Sequence, residues 1–264
     1  MRELEREKNG NEAEIPALAI IGAGRVGSAL HRAADTAGIE ARLAGRFDAA
    51  EACVGAELAL LCVPDAAIEE ACEAIAGVGS LRFIGHTCGA IGAEPLHPAR
   101  AAGCETFGLH PLQTIPDGAA EIRGAAAAVS GSSPTALELA TTLAQRLGMH
   151  PFEVPEQSRA AYHAAAAIAS NFLVALEESA AELLERAGVE NGRELLAPLV
   201  LQSAANWADR GGGALTGPIA RGDRETVDRH LAAIEEHSPE LAELYRVLAE
   251  RTHAFAGAGT EVKA

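Results

Sequence analysis

Residues 17–27, ALAIIGAGRVG, join an apolar run to a turn with three glycines. The run predicts a buried parallel strand, and the residues after the turn, Ser28 to Ala34, predict a helix. In such a unit Gly22 permits the tight turn, and Gly27 lets the helix pack closely on the strand. Gly24 lets the backbone approach a pyrophosphate at the helix N-terminus. The stretch therefore predicts a dinucleotide site; the alternative is an ordinary strand-to-helix turn.

Composition narrows the class of protein. The 264 residues are 48% hydrophobic but only 3% aromatic, which predicts a core of small aliphatic side chains. A formal net charge of −16 argues against a nucleic-acid or anionic-membrane partner. The five cysteines show no CxxC spacing, so we expect no disulfide framework and no metal site. Reduced thiols favour a cytoplasmic location.

The end of the second predicted strand bears on the choice of dinucleotide. NAD sites place an acid there to bind the ribose hydroxyl, but this chain has Gly45-Arg46. A guanidinium suits a 2′-phosphate, so the sequence favours NADP over NAD. The alternative is that Arg46 is a solvated loop residue and Asp48 takes the place of the acid. Further cofactor contacts are expected in the glycine turn and at the end of the third strand, from Arg25, Val26, Val63 and Pro64.

Strand and helix patterns divide the chain into two parts. Up to about Val154 they alternate, and after Pro155 only helical periodicity follows, beginning with one continuous helix predicted from Glu156 to Ala187. This predicts an α/β fold, a Rossmann-type doubly wound, mostly parallel sheet, followed by an all-α C-terminal domain. The predicted strands are Ala17–Ile21, Glu40–Ala44, Glu57–Val63, Leu81–His86, Cys104–Leu109, Ala125–Ser130 and Met149–Val154. The predicted domains are a disordered tail (1–15), an NADP-binding domain (16–155), a helical substrate and dimerisation domain (156–256) and a second tail (257–264).

Histidines are the main candidates for proton transfer. The only lysines are Lys8 and Lys263, one in each predicted tail, so the donor must be His, Tyr, Asp, Glu or water. His110 comes just after a predicted strand and His86 ends the preceding one, and ligands bind at the carboxyl ends of such strands. For each, the alternative is a turn histidine bonded to backbone.

The helical part adds three candidates. His163 begins a predicted buried face that also carries Asn171, and their partner is a substrate in the interdomain cleft or simply the sheet domain. Arg221 could clamp a carboxylate. Alternatively it pairs with Asp223, which is well placed to cap the next helix.

Four segments resemble an oxidoreductase-like family that joins a Rossmann-like NAD(P)-binding domain to a helical domain of unknown function 2520. They are His86-Thr87-Cys88-Gly89-Ala90, Leu109-His110-Pro111-Leu112-Gln113-Thr114, Tyr162-His163-Ala164-Ala165-Ala166 with Ser170-Asn171, and Leu215-Thr216-Gly217-Pro218-Ile219-Ala220-Arg221-Gly222-Asp223. The resemblance implies an NADP-dependent oxidoreductase, but it does not identify a substrate.

More distantly, the layout is similar to pyrroline-5-carboxylate reductases, ketopantoate reductases and prephenate dehydrogenases, whose helical second domain often forms a dimer. Ketopantoate reductases and hydroxyisobutyrate-type dehydrogenases carry a catalytic lysine on the first interdomain helix, where this chain has His163, Ala167 and Asn171. The His110-Pro111 pair is similar to a segment of prephenate dehydrogenases whose histidine contacts the substrate hydroxyl.

The leading hypothesis is a cytoplasmic NADP(H)-dependent oxidoreductase, a homodimer through its helical domain. It would exchange a hydride with a small polar substrate, a keto acid or an imine, at the interdomain cleft. His110 would donate or accept the proton, and His163 and Asn171 would orient the substrate. His86 and Arg221 would contact that substrate as well. A second hypothesis is a dinucleotide-binding sensor or assembly protein without turnover.

Overall fold

A seven-stranded sheet forms the first part of the molecule in the computed structural model, which describes residues 15–261 and gives 257–261 in their backbone only. The spatial order is β2-β1-β3-β4-β5-β6-β7, and every pair is parallel except β5 with β6. The strands are β1 (Leu18–Ile21), β2 (Ala41–Ala44), β3 (Leu58–Leu61), β4 (Phe83–His86), β5 (Glu105–Leu112), β6 (Ala126–Gly131) and β7 (His150–Glu153). The predicted Rossmann-type α/β class is confirmed.

Helices cover the sheet and then continue alone. Those that follow strands are α1 (Arg25–Thr36), α2 (Ala49–Cys53), α3 (Ile68–Ala76), α4 (His97–Ala101), α5 (Pro134–Arg146) and α6 (Arg159–Ala167). The later ones are α7 (Leu173–Arg186), α8 (Gly192–Arg210), α9 (Gly217–Arg221), α10 (Arg224–His237) and α11 (Ala242–Glu261). None of the helices within residues 15–261 combines the length and apolar character needed to cross a bilayer.

Alternating side chains of the strands build two core layers. Leu18, Ile20 and Leu60 pack with α1 and α5 on one face, whereas Ile21 and Leu61 pack with α2, α3 and α4 on the other. Period-two alternation explains this division, because successive strand residues point to opposite faces. Both faces are apolar because both are covered by helices.

The carboxyl edge of the sheet is uneven. Register places Ile21, Leu61, His86 and Gly108 side by side at this edge. The fifth strand runs beyond it to Leu112, because there it pairs antiparallel with β6. A three-stranded part of the sheet, formed by β5, β6 and β7, therefore projects past this edge, and β3 and β4 separate it from β1.

The described residues form two compact units, and the division between them falls between Ala167 and Ile168. We call the first the sheet unit and the second the helical unit. The expected continuous helix after Pro155 is interrupted by a π-helical segment, Ile168–Phe172. In this segment the Ser170 hydroxyl donates to Asn171 Oδ1 at 3.4 Å, and π-helical segments often occur at functional sites.

The predicted tails lie at the limits of the described residues. Residues 1–14 of the predicted N-terminal tail are outside the described range. The C-terminal tail was expected from residue 257, but α11 continues to Glu261. No proline breaks this stretch, so the backbone bonds of the preceding turns can propagate.

Candidate functional site

The glycine turn is held by close packing at two positions. Gly22 has φ +115°, and a Cβ there would lie 2.3 Å from the carbonyl oxygen of Cys62. A Cβ at Gly27 would lie 1.9 Å from the carbonyl oxygen of Gly22. Side chains at these two positions would therefore disrupt the contact of α1 with the strands, as the sequence pattern predicts.

Gly24 differs, because a Cβ there would lie within 4 Å of no surrounding atom of the described residues. It is the N-cap of α1 with extended backbone, φ −80° and ψ −166°, and no side chain caps the helix. The first N–H groups of α1 therefore have no intrahelical acceptor and face the open space beside Gly24. Together with the helix dipole they suit an anionic group such as a pyrophosphate.

The other predicted cofactor residues lie around this turn. Arg25 and Pro64 are exposed and Val26 is half-buried. A Cβ at Gly22 would lie 3.2 Å from Val63 Cγ1, so Val63 lines the turn from β3. The strand order reverses between β1 and β3, which is where ligands bind in open α/β sheets.

Arg46 lies just after β2, and its guanidinium donates to the carboxylate of Glu70 in the first turn of α3. Both side chains are exposed to solvent, 75% for Arg46 and 63% for Glu70. Asp48, the alternative acid, is the N-cap residue of α2 and makes no side-chain cap bond.

His110 lies within β5, two residues beyond the edge, and its side chain meets α6. The expectation that it follows the strand is wrong, because pairing with β6 extends β5 to Leu112. Its Nδ1 shares a 2.7 Å hydrogen bond with the hydroxyl of Tyr162. The imidazole edge packs on Gly89, where a Cβ would lie 2.8 Å from Nε2.

Burial changes the acid–base properties of this pair. The pKa of His110 is lowered from 6.5 to about 4, first by burial and then by the neighbouring His163 and Arg159. Burial raises the pKa of the Tyr162 hydroxyl to about 12. At neutral pH both groups are therefore uncharged, and each carries a proton that can be shared in the hydrogen bond.

A buried arginine lies at the start of α6, only 2% exposed. Arg159 donates through Nε to Glu156 at 3.2 Å, and its terminal NH2 group donates to the hydroxyl of Ser130 at 2.7 Å. Its other terminal nitrogen, NH1, is buried without a hydrogen-bond partner among the described residues. This fixed positive charge adds to the effect of burial in lowering the pKa of His86 and of His110, and it offsets part of the rise that burial causes in the pKa of Tyr162.

His86 is 1% exposed, and backbone groups occupy both of its ring nitrogens. Nδ1 accepts from the Cys88 amide at 3.1 Å, and Nε2 lies 2.8 Å from the Gly92 carbonyl oxygen, to which it donates. Burial lowers the pKa of this imidazole. No ring nitrogen is left for a substrate, so the geometry favours the turn-histidine alternative.

The remaining predicted residues are divided between the two units. His163 stands edge-on to His110, with ring centroids 5.9 Å apart, and it is exposed. Asn171 and Arg221 belong to the helical unit and are exposed as well. The expectation of a buried face from His163 to Asn171 is therefore wrong for the single chain. Asp223 caps α10 by accepting from the Thr226 amide, as expected.

Sequence reasoning missed Arg159 and Tyr162. A usable signal was present: Arg159, Tyr162 and His163 have i, i+3, i+4 spacing, and one face of a helix holds such residues. In an alanine-rich segment, three polar side chains on one face point to a shared polar environment.

The strand order and the glycine turn define a Rossmann-type α/β fold, and comparison with known proteins agrees on the fold. Residues 125–252 match the family model described as Domain of unknown function (DUF2520), which confirms the resemblance for the C-terminal region, where two of the four segments lie. No curated protein matches the chain in sequence.

Solved structures share the fold at low sequence identity. A presumed NADP oxidoreductase from Bacteroides fragilis has a TM-score of 0.73 at 22% identity, over 91% of this chain and 98% of its own. A reductive aminase from Aspergillus terreus, in complex with NADPH and ethyl-5-oxohexanoate, has a TM-score of 0.66 at 18% identity, over 90% and 93%. A 1-pyrroline-5-carboxylate reductase from Streptococcus pyogenes has a TM-score of 0.61 at 15% identity, over 92% and 99%.

Proposed function

We propose that this chain is an NADP(H)-dependent oxidoreductase that exchanges a hydride with a small polar substrate, a keto acid or an imine. One observation carries the proposal: His110 lies on β5 beyond the same sheet edge that bears the glycine turn, and it is hydrogen-bonded to Tyr162 of α6. Three strand spacings separate β1 from β5, roughly 14 Å. An extended dinucleotide lying along the edge would place its reactive end near the pair. The NADPH complex of the reductive aminase supports this choice of cofactor.

The residues of the turn fit a dinucleotide. Gly24 leaves open space, the N–H groups of α1 are uncapped, and Val63 closes the side toward β3. These groups would hold the pyrophosphate, and Arg46 would bind the 2′-phosphate. When bound, the nicotinamide would give or take the hydride.

Tyr162 and His110 would handle the proton together. A histidine with a pKa of about 4 is almost entirely neutral at pH 7, so it is seldom available as an acid. The Tyr162 hydroxyl is protonated at that pH, and it would donate to the substrate oxygen or nitrogen. His110, carrying its proton on Nδ1, would return that proton to the Tyr162 oxygen through the 2.7 Å hydrogen bond while its Nε2 takes a proton from water, so the imidazole stays neutral. This refines the hypothesis that His110 itself donates or accepts the proton.

His163 would contact the substrate, because it is exposed and edge-on to His110. Asn171 and Arg221 stay predicted substrate residues of the helical unit; a carboxylate is the group that Arg221 would bind.

The helical unit would form a homodimer. Its large apolar side chains are widely exposed in the single chain, among them Leu199 at 63%, Leu201 at 72% and Trp207 at 67%. Exposed apolar surface of this extent is typical of protein–protein interfaces.

The test measures binding of NADPH and NADH, and then oxidation of NADPH across a panel of keto acids and cyclic imines. Tyr162→Phe should lower kcat on the order of 100-fold, and His110→Ala should have a similar effect. The helical unit offers a matched control, because His230 and Tyr245 also share a 2.7 Å hydrogen bond. Tyr245→Phe should leave turnover unchanged.

The outcomes separate the hypotheses. Binding of NADPH without oxidation by any compound would favour the sensor. Undiminished turnover in both Tyr162→Phe and His110→Ala would remove the pair from the mechanism. Arg46→Ala should weaken the binding of NADPH much more than the binding of NADH. Equal effects on the two cofactors would contradict the proposed contact of Arg46 with the 2′-phosphate.

A further inference from the structure

The ion pair of Arg46 and Glu70 spans the end of β1. Arg46 follows β2, Glu70 lies at the start of α3 after β3, and β1 lies between these two strands. The glycine turn leaves the sheet at the same place. The pair therefore borders the position at which Rossmann-type folds bind the ribose next to the adenine.

Glu70 supplies the carboxylate that the second strand lacks. In NAD sites an acid at the end of that strand accepts hydrogen bonds from the ribose hydroxyls, but here Gly45-Arg46 occupies the position. The carboxylate of Glu70 reaches the same place from another element, as its contact with Arg46 demonstrates. It is 63% exposed, so a ligand can reach it.

Resting on the proposed function, we propose that Glu70 limits the preference of this chain for NADP(H) and lets it use NAD(H) as well. Its carboxylate competes with the 2′-phosphate for Arg46 and repels that phosphate. With NAD(H), the same carboxylate accepts a hydrogen bond from the ribose 2′-hydroxyl while it keeps its contact with Arg46.

The solvent exposure of the Arg46–Glu70 ion pair determines how large these effects on cofactor affinity are. Exposed ion pairs are weak, so releasing Arg46 to a phosphate costs a factor of about two to five in affinity. Repulsion between Glu70 and a 2′-phosphate adds to this and is screened by salt, because the Debye length is about 10 Å at 0.1 M. The effect of Glu70 on NADPH therefore decreases at high ionic strength.

The chain contains a matched control for the charge of Glu70. Glu69 is its neighbour in α3 and is 56% exposed, but it pairs with His97 at 3.6 Å. Glu69→Gln removes the same charge from the same helix turn without touching Arg46. Comparing the two variants therefore separates the effect of the carboxylate's position on cofactor binding from the effect of net charge.

The experiment measures Kd for NADPH and NADH by calorimetry, for the parent, Glu70→Gln and Glu69→Gln, at about 0.05 M and 0.5 M salt. We expect Glu70→Gln to tighten the binding of NADPH on the order of ten-fold at low salt. The affinity for NADH should be unchanged or a few-fold weaker. Glu69→Gln should keep the NADPH-to-NADH ratio within about two-fold of the parent. Thermal melting of each variant confirms that it is folded.

An unchanged ratio in Glu70→Gln, with both cofactors still bound by the parent, would overturn the inference and leave the proposed function intact. A parent chain that binds neither cofactor would instead overturn the proposed function, and the inference with it. A parent that binds NADH far more weakly than NADPH, with the same ratio in Glu70→Gln, would show that Arg46 alone determines the choice.

Discussion

The sheet unit and the helical unit bury their apolar side chains to different extents. The largest fully buried side chains, such as Phe107, Leu60 and Ile84, all belong to the sheet unit. In the helical unit the buried apolar residues are Ala181, Ile234 and Ala242, whereas Leu201 and Trp207 are mostly exposed. The sheet unit thus has a core of its own. The helical unit holds apolar surface that a single chain leaves in water, and this is why we expect it to pair with a second copy.

The strongest test of this contrast compares one leucine from each unit. Leu60→Ala should cost about 2–5 kcal/mol of unfolding free energy, because it leaves a cavity in a close-packed core. Leu201→Ala should cost less than about 0.5 kcal/mol in the monomer. All five cysteines lie in the sheet unit and the single tryptophan lies in the helical unit, so thiol labelling and Trp207 fluorescence follow the units separately in urea. Similar costs for the two variants would refute the contrast.

The second test concerns the exposed apolar surface. Trp207→Ala should weaken self-association about 30-fold, since a buried aromatic at an interface contributes about 2 kcal/mol or more. Sedimentation velocity over a concentration series measures this, with Gln202→Ala on the same helix as the control. A parent chain that stays monomeric at micromolar concentration would contradict the dimer.

Acidification should destabilise the sheet unit through His110. The folded pKa of about 4 lies below the unfolded value of 6.5, so the unfolded state binds more protons between these values and stability falls as the pH drops from 6.5 to 4. At pH 5 the loss relative to pH 7 should be about 2 kcal/mol from this group. Between pH 7 and pH 5 the His110→Asn variant should lose about 2 kcal/mol less unfolding free energy than the parent. Urea unfolding followed by circular dichroism measures this difference.

The smallest expected effects come from the helix caps of the two units. Ser133→Ala removes the bond to the Ala136 amide in α5, and Asp223→Ala removes the bond to the Thr226 amide in α10. Each should cost about 1 kcal/mol. Ser133→Ala should shift the unfolding transition of the sheet unit in urea, as followed by thiol labelling. Asp223→Ala should shift the transition of the helical unit, as followed by Trp207 fluorescence. If either variant affects both readouts equally, the units unfold as one.

The strands could be predicted because each is a short apolar run between turn residues. The end of β5 could not, because Pro111 is typical of a strand end and only the antiparallel partner β6 extends the pairing to Leu112. The break at Ile168–Phe172 was missed because the apolar spacing on either side fits one continuous helix. Local patterns therefore determine which elements exist, and tertiary pairing determines where they end.

The candidate site shows the same division. The glycine turn and His110 carry local signals, and both were predicted. The contacts of His110 with Tyr162 and of Arg46 with Glu70 join residues far apart in sequence, and no spacing rule finds such partners. Shifted pKa values follow from these contacts and from burial, so they too require the structure.

At Gly24, folding and ligand binding should tolerate different substitutions. Its backbone angles suit any L-residue and its Cβ position is empty, so replacement by alanine should leave folding intact. A library sorted by folded abundance would then accept residue 24 as freely variable and reject changes at Gly22 and Gly27. A library sorted by retention on immobilised NADPH would reject changes at Gly22, Gly24 and Gly27. The difference between the two sorted populations would show that residue 24 is needed for ligand binding and not for folding.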